Sequence, residues 1–320
     1  MLKIRNFEKN EADYRAFVDV DNAVWSDFPW TVEEWKHNDQ SRNPEYLYKR
    51  LVVEKNGKIV GYANYGECSW DYVPGKYSIF ISVHPDYQRK GIGTTLYEHV
   101  LDILSKRNPK QLVVTTREDK KGAIHFLEKH QFKLIQREPV SHLRIDSFDF
   151  KKYEWVFSEM KAQGIQLFLL SQLQEIDPVW DRKLWELDWE IVQDIPSPDP
   201  PTRQPFEIWK KHELESPNYN PDTWIVAVDG DRYVGMSNLN TSQAEPEKTF
   251  TDLTGVVRSH RRKYIATAMK IYSIKETKKY GTKIIVTENE ENNPMFHLNI
   301  QLGFEPKPAW LHFRKELDGK

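Results

Sequence analysis

Gly91 and Gly93 stand two apart in "QRKGIG", directly after Gln88, Arg89 and Lys90, and such a run can hold an anion. A helix N-terminus carries unpaired backbone N–H groups and a partial positive charge. Glycine lets a phosphate come close to that backbone, because no Cβ stands in the way. Gln88, Arg89 and Lys90 add donors and positive charge ahead of the helix, so the stretch through Ile92, Gly93 and Thr94 reads as a pyrophosphate cradle. The alternative is a plain tight turn between a strand and a helix. The run lacks the trailing Lys-Ser/Thr of a Walker loop and the third glycine of a dinucleotide fingerprint. A second chemical feature is Asp252 in "TDLTGV". A carboxylate in an otherwise apolar strand is costly unless it is paired or functional.

The cradle requires a strand to deliver the chain and a helix to receive it. Tyr77, Ile79, Ile81 and Val83 alternate with a period of two, which predicts the strand. Gly93, Leu96, Tyr97, Val100, Leu101 and Leu104 recur at helical spacing and predict a helix with a core-facing stripe. Upstream, "RLVVEKNG" and "KIVGYANY" flank a tight turn and predict a hairpin.

The same order of features occurs twice. "VHPDYQRKGIGTTLY" is answered about 173 residues further on by "VVRSHRRKYIATAMK", and "LVVEKNGKIVGYANY" by "IVAVDGDRYVGMSNL". "TVEEWKHN" is answered by "PFEIWKKH", "LVVTTRE" by "IIVTENE", and "HFLEKHQF" by "HLNIQLGF". Collinear matches of this kind indicate a duplicated domain. The expected division is residues 1–150, a connecting segment 151–163, and residues 164–320, with Ser141–Asp146 as the last strand of the first domain. Each half is expected to be α+β, a mixed and mostly antiparallel sheet flanked by helices. The second cradle reads Arg261, Arg262, Lys263, Tyr264, Ile265, Ala266, and the Tyr264 side chain is expected to stand where a phosphate would approach. Asp252 and Thr254 are expected on the face that holds Ile79 and Ile81 in the first copy.

Bulk properties exclude several classes. A length of 320 residues favours two domains, and a net charge of −2 gives no reason to expect nucleic acid or an anionic membrane as partner. The single cysteine, Cys68, excludes an internal disulfide framework and fits a reducing, cytoplasmic setting. It reads as a small strand-edge residue rather than a nucleophile. The N-terminal residues contain no apolar run of signal-peptide or membrane-span length. No metal is expected.

The strand, the pattern V-x-P-x-Y-Q-x-x-G-x-G, the amphipathic helix and the later "F-L-E-K-x-x-F" resemble the GNAT superfamily of acyl-CoA-dependent N-acyltransferases. The resemblance spans both halves and is most specific from Val83 to Thr95; the C-terminal half is similar to that of tandem members of the mycothiol synthase type, in which the second domain is the active one, but the intact glycines favour residues 1–150 as the acetyl-CoA-binding, catalytic domain. It implies acetyl-CoA as co-substrate, held at Ser82, Val83, His84, the Gln88–Thr94 cradle and Phe126, with a backbone amide near Val83 polarising the thioester carbonyl. A possible second site would use Val256, Arg261, Arg262, Lys263, Ile265, Ala266 and Asn292. Glu67, at the end of the hairpin, is the first choice of general base, and Asp252 is one only if the second domain is active. Trp25, Asp27, Phe28 and Trp30 would line the acceptor pocket, with helix–sheet core as their alternative role. The family's late-helix Tyr is replaced by Leu127 and Asn299. The expected reaction is acetyl transfer to the primary amine of a small molecule. Modification of a protein N-terminus or lysine, and non-catalytic acyl-CoA sensing, are the alternatives.

Overall fold

The computed structural model describes residues 2–317. The first half of the chain forms β1 (Leu2–Asn6), α1 (Glu11–Val24), α2 (Val32–Ser41), β2 (Tyr48–Lys55), β3 (Lys58–Gly66), β4 (Lys76–Val83), α3 (Ile92–Ser105), β5 (Gln111–Arg117), α4 (Lys121–Lys129) and β6 (Lys133–Arg144). There follow α5 (Trp155–Ala162), β7 (Ile165–Leu169), α6 (Leu170–Ile176), α7 (Trp180–Val192), α8 (Phe206–Leu214), β8 (Ile225–Asp229) and β9 (Arg232–Thr241). The chain closes with β10 (Lys248–Val256), α9 (Ile265–Lys279), β11 (Ile284–Glu288), α10 (Pro294–Gln301) and β12 (Glu305–Glu316). Several starts are set by local chemistry. Asn10 accepts the Asp13 N–H ahead of α1, and Thr31 with Glu34 forms a capping box at α2.

Two compact units result. Unit 1 holds residues 2–137, 198–204 and 310–317. Its strands run in the order β1-β2-β3-β4-β5 and end with Trp310–Glu316 of β12; all neighbours are antiparallel except β4 and β5. Phe17 of α1 meets Tyr62 of β3 edge-on at 4.6 Å on one face, while α3 approaches the Val83 side chain at Gly93 on the other. Unit 2 holds residues 138–197 and 205–309, with strand order β7-β8-β9-β10-β11 and then Glu138–Arg144 of β6. Here too only one pair, β10 and β11, is parallel. Its core gathers Leu184 and Ile191 of α7, Trp209 of α8, Met269 and Ile274 of α9, and Val226 and Val234 of the sheet. Each unit is thus a mixed, mostly antiparallel sheet flanked by helices.

One expectation is corrected. Residues 140–144, assigned from sequence to the first domain, pair with β11 in unit 2, from Ile284↔Arg144 to Glu288↔Val140. In unit 1 the corresponding edge of β5 is taken by β12, from Trp310↔Arg117 to Glu316↔Gln111. Duplicated halves present equivalent strand edges, and an alternating strand carries nothing in its own pattern to say which edge it joins. The proline-rich segment 198–204 also belongs to unit 1. Thr202 donates its N–H to the Trp70 carbonyl at 2.7 Å and accepts the Tyr72 N–H on its hydroxyl at 2.9 Å. Asp199 pairs there with the buried Lys76 ammonium at 3.1 Å.

Candidate functional site

In unit 1 the parallel pairing of β4 with β5 stops at Ser78↔Val113, although β4 runs on to Val83. The His84 N–H donates to the Val60 carbonyl, which fixes the alternation: even-numbered residues of β4 bond to β3 and odd-numbered ones face β5. The Ser78↔Val113 bridge takes up the Ile79 N–H, and past it the backbone groups of Ile81 and Val83 face an opening between the two strands. Of the three strand residues expected to hold a cofactor, Val83 alone presents its backbone there. His84 bonds to β3, and its ring nitrogen accepts the Asp86 N–H at 3.3 Å. The Ser82 hydroxyl is buried on the α1 face beside Tyr62.

The cradle follows. Arg89 has φ 60° and Gly91 φ 80°, so two left-handed residues alternate ahead of α3. Such alternation turns successive N–H groups toward one point and makes an anion-binding concavity. A Cβ built on Gly91 meets nothing within 4 Å, so the approach to the backbone is open. Gln88 donates from Nε2 to the Val83 carbonyl at 2.9 Å and ties the turn to the strand. The Arg89 guanidinium reaches Gly122 at the start of α4. Ile92 is buried as the anchor of the first turn, Gly93 and Thr94 continue it, and Lys90 is exposed, donating to the Asp86 carbonyl at 2.6 Å. Phe126 of α4 packs edge-on against Tyr97 at 5.5 Å.

The other expected residues are placed differently. Glu67 lies just beyond Gly66, which pairs with Ser78, on the closed side of the opening. Its carboxylate accepts the Leu47 N–H at 2.9 Å. Trp25 is buried against Phe80 and Trp310, and Phe28 also packs on Trp310. Trp30 instead packs on Trp35 at 5.1 Å. Asp27 pairs with Arg117 at 2.5 Å, and Arg117 also binds Asp119 at 2.7 Å. The carboxylate expected to attract an ammonium is thus already engaged by a cation. Leu127 and Asn299 are both buried in their helices. Burial pushes the Tyr97 phenol up to about 12, which makes it a poor proton donor. Burial likewise pushes the Cys68 thiol up to about 12, in keeping with an unreactive cysteine. A cavity of about 370 Å³, lined among others by Tyr48, Arg50 and Ile103, lies toward the other end of α3 and includes none of the cradle residues.

Unit 2 repeats the backbone of the cradle in detail. Pairing of β10 with β11 stops at Phe250↔Val286, Arg262 has φ 62° and Tyr264 φ 63°, and Arg261 donates from Nε to the Val256 carbonyl at 2.9 Å. Ile265 is buried, as Ile92 is, and Ala266 follows it at the position of Gly93. The Tyr264 ring is 54% exposed and packs edge-on against Trp155 at 4.9 Å. The charges differ from unit 1. Asp194 pairs with both Arg258 and Arg261, and the Lys263 carbonyl accepts from Gln163 at 3.4 Å. Asn292 donates from Nδ2 to Glu290 at 2.7 Å.

Asp252 sits on the opposite face from the one its spacing implied. The register of β10 against β9 shifts between Thr251 and Thr254, a bulge that inserts one residue. Thr254 stays with Ser237, at 2.9 Å, while Asp252 accepts from Asn238 Nδ2 at 2.9 Å. The Leu253 N–H donates to Asn238 Oδ1 at 2.5 Å and holds the bulge. Asp252 thereby meets Asp188 of α7 and Glu213 of α8, and Glu213 is paired with His212 at 2.8 Å. Gly255 lets α7 come this close, because a Cβ there would lie 2.1 Å from Ile191 Cγ2. Asp252 is crowded by neighbouring protein but exposed to solvent, as on the floor of a cleft. Burial and the Glu213 charge raise it to about 7, and burial with the same neighbours raises Asp188 well above the usual carboxylate range. Sequence reasoning missed Asp188, His212 and Glu213, which lie in no motif. One clue was present: Met236 stands in the second copy where Tyr62 stands in the first.

Comparison with known proteins agrees with this geometry. Residues 14–132 match the acetyltransferase (GNAT) family. Over 115 residues the chain is 31% identical to an acetyltransferase of Yersinia pestis (strain Pestoides F), covering 32% of this chain and 79% of that protein. Over 106 residues it is 32% identical to the [ribosomal protein bS18]-alanine N-acetyltransferase of Escherichia coli K12, covering 33% of this chain. It spans 65% of the length of that relative. The fold is that of a tandem GNAT protein from the clavulanic acid biosynthesis pathway, with a TM-score of 0.75 at 17% identity over 99% of this chain and 98% of that one.

Proposed function

The chain belongs to the GNAT family of acetyltransferases, and on that footing we propose that it transfers an acetyl group from acetyl-CoA to a primary amine, with the co-substrate held in unit 1. The observation that carries this reading is the cradle of Arg89 and Gly91 beside the unpaired backbone of β4. The residues fit the co-substrate: the Gly91 approach is open, N–H groups of the first turn of α3 are without helical partners, and Arg89 flanks them. When bound, acetyl-CoA supplies the thioester that an amine attacks. Backbone N–H groups of Ile81 and Val83 are available to polarise its carbonyl, an effect worth about 3 kcal/mol per donor. Positioning supplies much of the remaining rate. With Leu127 in place of a phenol, α4 offers no proton donor at that position, and the thiol departs as thiolate.

The test is calorimetric titration of acetyl-CoA into wild type, Gly91→Trp and Tyr264→Gly. We expect one site, lost in Gly91→Trp and retained in Tyr264→Gly. Binding that survives Gly91→Trp would move the co-substrate to unit 2, and no binding in wild type would reject the reading. A second reading, acetylation of a protein N-terminus, draws on the Escherichia coli relative. Turnover with alanyl peptides and none with small free amines would establish it in place of the first.

A further inference from the structure

The corner where the first strand of each unit ends against the second is built in two ways. In unit 1 the Phe7 N–H donates to the Arg50 carbonyl, and in unit 2 the Leu170 N–H donates to the Trp224 carbonyl in the same manner. Unit 2 then closes the corner. α6 starts at Leu170, Thr223 and Trp224 are buried, and the Tyr280 hydroxyl donates to Asp222 at 2.6 Å. In the alignment of the two copies, Tyr280 answers Arg107 and Asp222 answers Tyr48. In unit 1 those two residues instead border the cavity of about 370 Å³ that lies away from the cradle. A loop takes the place of α6, and its Lys9 is held at φ 56°, a left-handed conformation that lysine seldom adopts.

The lining of this cavity carries an excess of one charge. Lys9, Lys49 and Arg107 come from three separate segments, and among the described residues none of their side chains has an ion-pair or hydrogen-bond partner. Asp39 is the acidic group of the lining, and it is already engaged by Arg50 at 2.9 Å and by the Tyr14 hydroxyl at 2.9 Å. Neighbouring acids are taken as well: Glu8 accepts from Asn10 at 3.2 Å, and Asp102 pairs with Lys106 at 3.5 Å along α3. Further donors are left over. The buried Arg50 guanidinium donates once from Nε, once from Nη1 and twice from Nη2, so one N–H of Nη1 stays unbonded. The Tyr48 hydroxyl accepts one of those bonds and keeps its own proton to give. Tyr65 is 6% exposed, its hydroxyl has no partner among the described residues, and Arg107 is the charged group acting on it. Phe7, Leu47 and Ile103 supply an apolar wall.

Cations and hydroxyl donors around one cavity suit an acceptor-rich ligand of opposite charge, and cations on three segments suit more than one negative charge. The apolar wall suits a carbon body, which inorganic phosphate lacks. We propose that this cavity of unit 1 binds a small organic anion with two or more negative charges, carried by carboxylate or phosphate groups. Lys9, Lys49 and Arg107 hold the charged groups, the Tyr48 and Tyr65 hydroxyls donate to them, and the carbon body lies against Phe7, Leu47 and Ile103.

The probes are citrate and glucose 6-phosphate, each titrated calorimetrically into the full chain without acetyl-CoA, with acetate and inorganic phosphate as controls. The expected result is one site for at least one probe, weakening as salt rises, and much weaker binding of both controls. The tighter probe assigns the anionic group as carboxylate or as phosphate. Lys49→Gln, Arg107→Gln and Tyr65→Phe should each weaken that probe roughly 3- to 10-fold. Lys58→Gln, an exposed lysine at the opposite end of the β2–β3 hairpin, should leave it unchanged. So should Gly91→Trp, which obstructs the cradle. Circular dichroism and thermal melts check that each variant folds, and Lys9→Gln provides a further variant should one of them fail. Affinity lost in Gly91→Trp would place the anion at the cradle and overturn the proposal. So would unchanged affinity in the folded variants, equal affinity for acetate or inorganic phosphate, or no binding of either probe. Because acetyl-CoA is absent from the titration, failure of the transferase reading leaves this one standing, and the reverse holds too.

Discussion

Replacing Asp252 by asparagine removes a carboxylate that the fold itself disfavours, and the consequence for stability depends on pH. In the folded protein its proton affinity rises from the ordinary aspartate value of 3.8 to about 7, first through burial and then through the Glu213 charge. A raised carboxylate stabilises the fold fully below the unfolded value and loses that contribution as pH climbs through the folded one. Between pH 5 and pH 8 the ceiling is about 3 kcal/mol, since a tenfold change in proton affinity is worth about 1.4 kcal/mol. The cleft opens to solvent, and screening reduces this to about 1 to 2 kcal/mol. Asparagine keeps an acceptor for the Asn238 amide and carries no charge to repel Glu213 or Asp188. Asp252→Asn should therefore gain about 1 to 2 kcal/mol relative to wild type on going from pH 5 to pH 8. Urea unfolding followed by tryptophan fluorescence at both pH values measures this, and hydrogen exchange of β10 amides localises it to unit 2. An identical difference between variant and wild type at the two pH values would refute the argument, because a carboxylate crowded by protein and repelled by Glu213 must be titrating in that window.

Lys270 of α9 occupies the position that Tyr97 holds in unit 1, and burial lowers it to about 7 from the ordinary 10.5. Its lowered value means that wild type gains stability as pH rises from 7 to 9. Lys270→Met should abolish that gain and be about 2 to 4 kcal/mol more stable at pH 7, read by the same unfolding assay. Gly255→Ala should cost about 1 to 3 kcal/mol by overpacking against Ile191. In a double-mutant cycle with Ile191→Ala, the combined loss should fall short of the sum by about 1 kcal/mol. Strict additivity would mean that the two residues do not meet.

The strand-to-helix turn of unit 1 was legible because it is local. Gly91 and Gly93 next to a polar, cationic run specify a strand-to-helix turn whose backbone needs little from the rest of the chain, and the structure has left-handed residues there. The duplication was legible for a similar reason, since collinear residues need no geometry to be compared. The hairpins and helical stripes followed from periods of two and 3.6.

What the sequence left open depended on choices between near-equal partners. Residues 140–144 and 310–316 are both alternating strands, and the edges of β5 and β11 are copies of one another, so only the folded chain decides which strand closes which sheet. Asp252 was misplaced because one inserted residue in β10 reverses every side chain before it, and period two is blind to a bulge until its partner strand is known. Asp188, Glu213 and Asp252 lie on separate elements and meet only when Gly255 lets α7 settle against β10. Backbone conformation near a turn is short-range and can be read from residue types. The meeting of charges from distant elements is a product of packing, and there the tertiary structure decided.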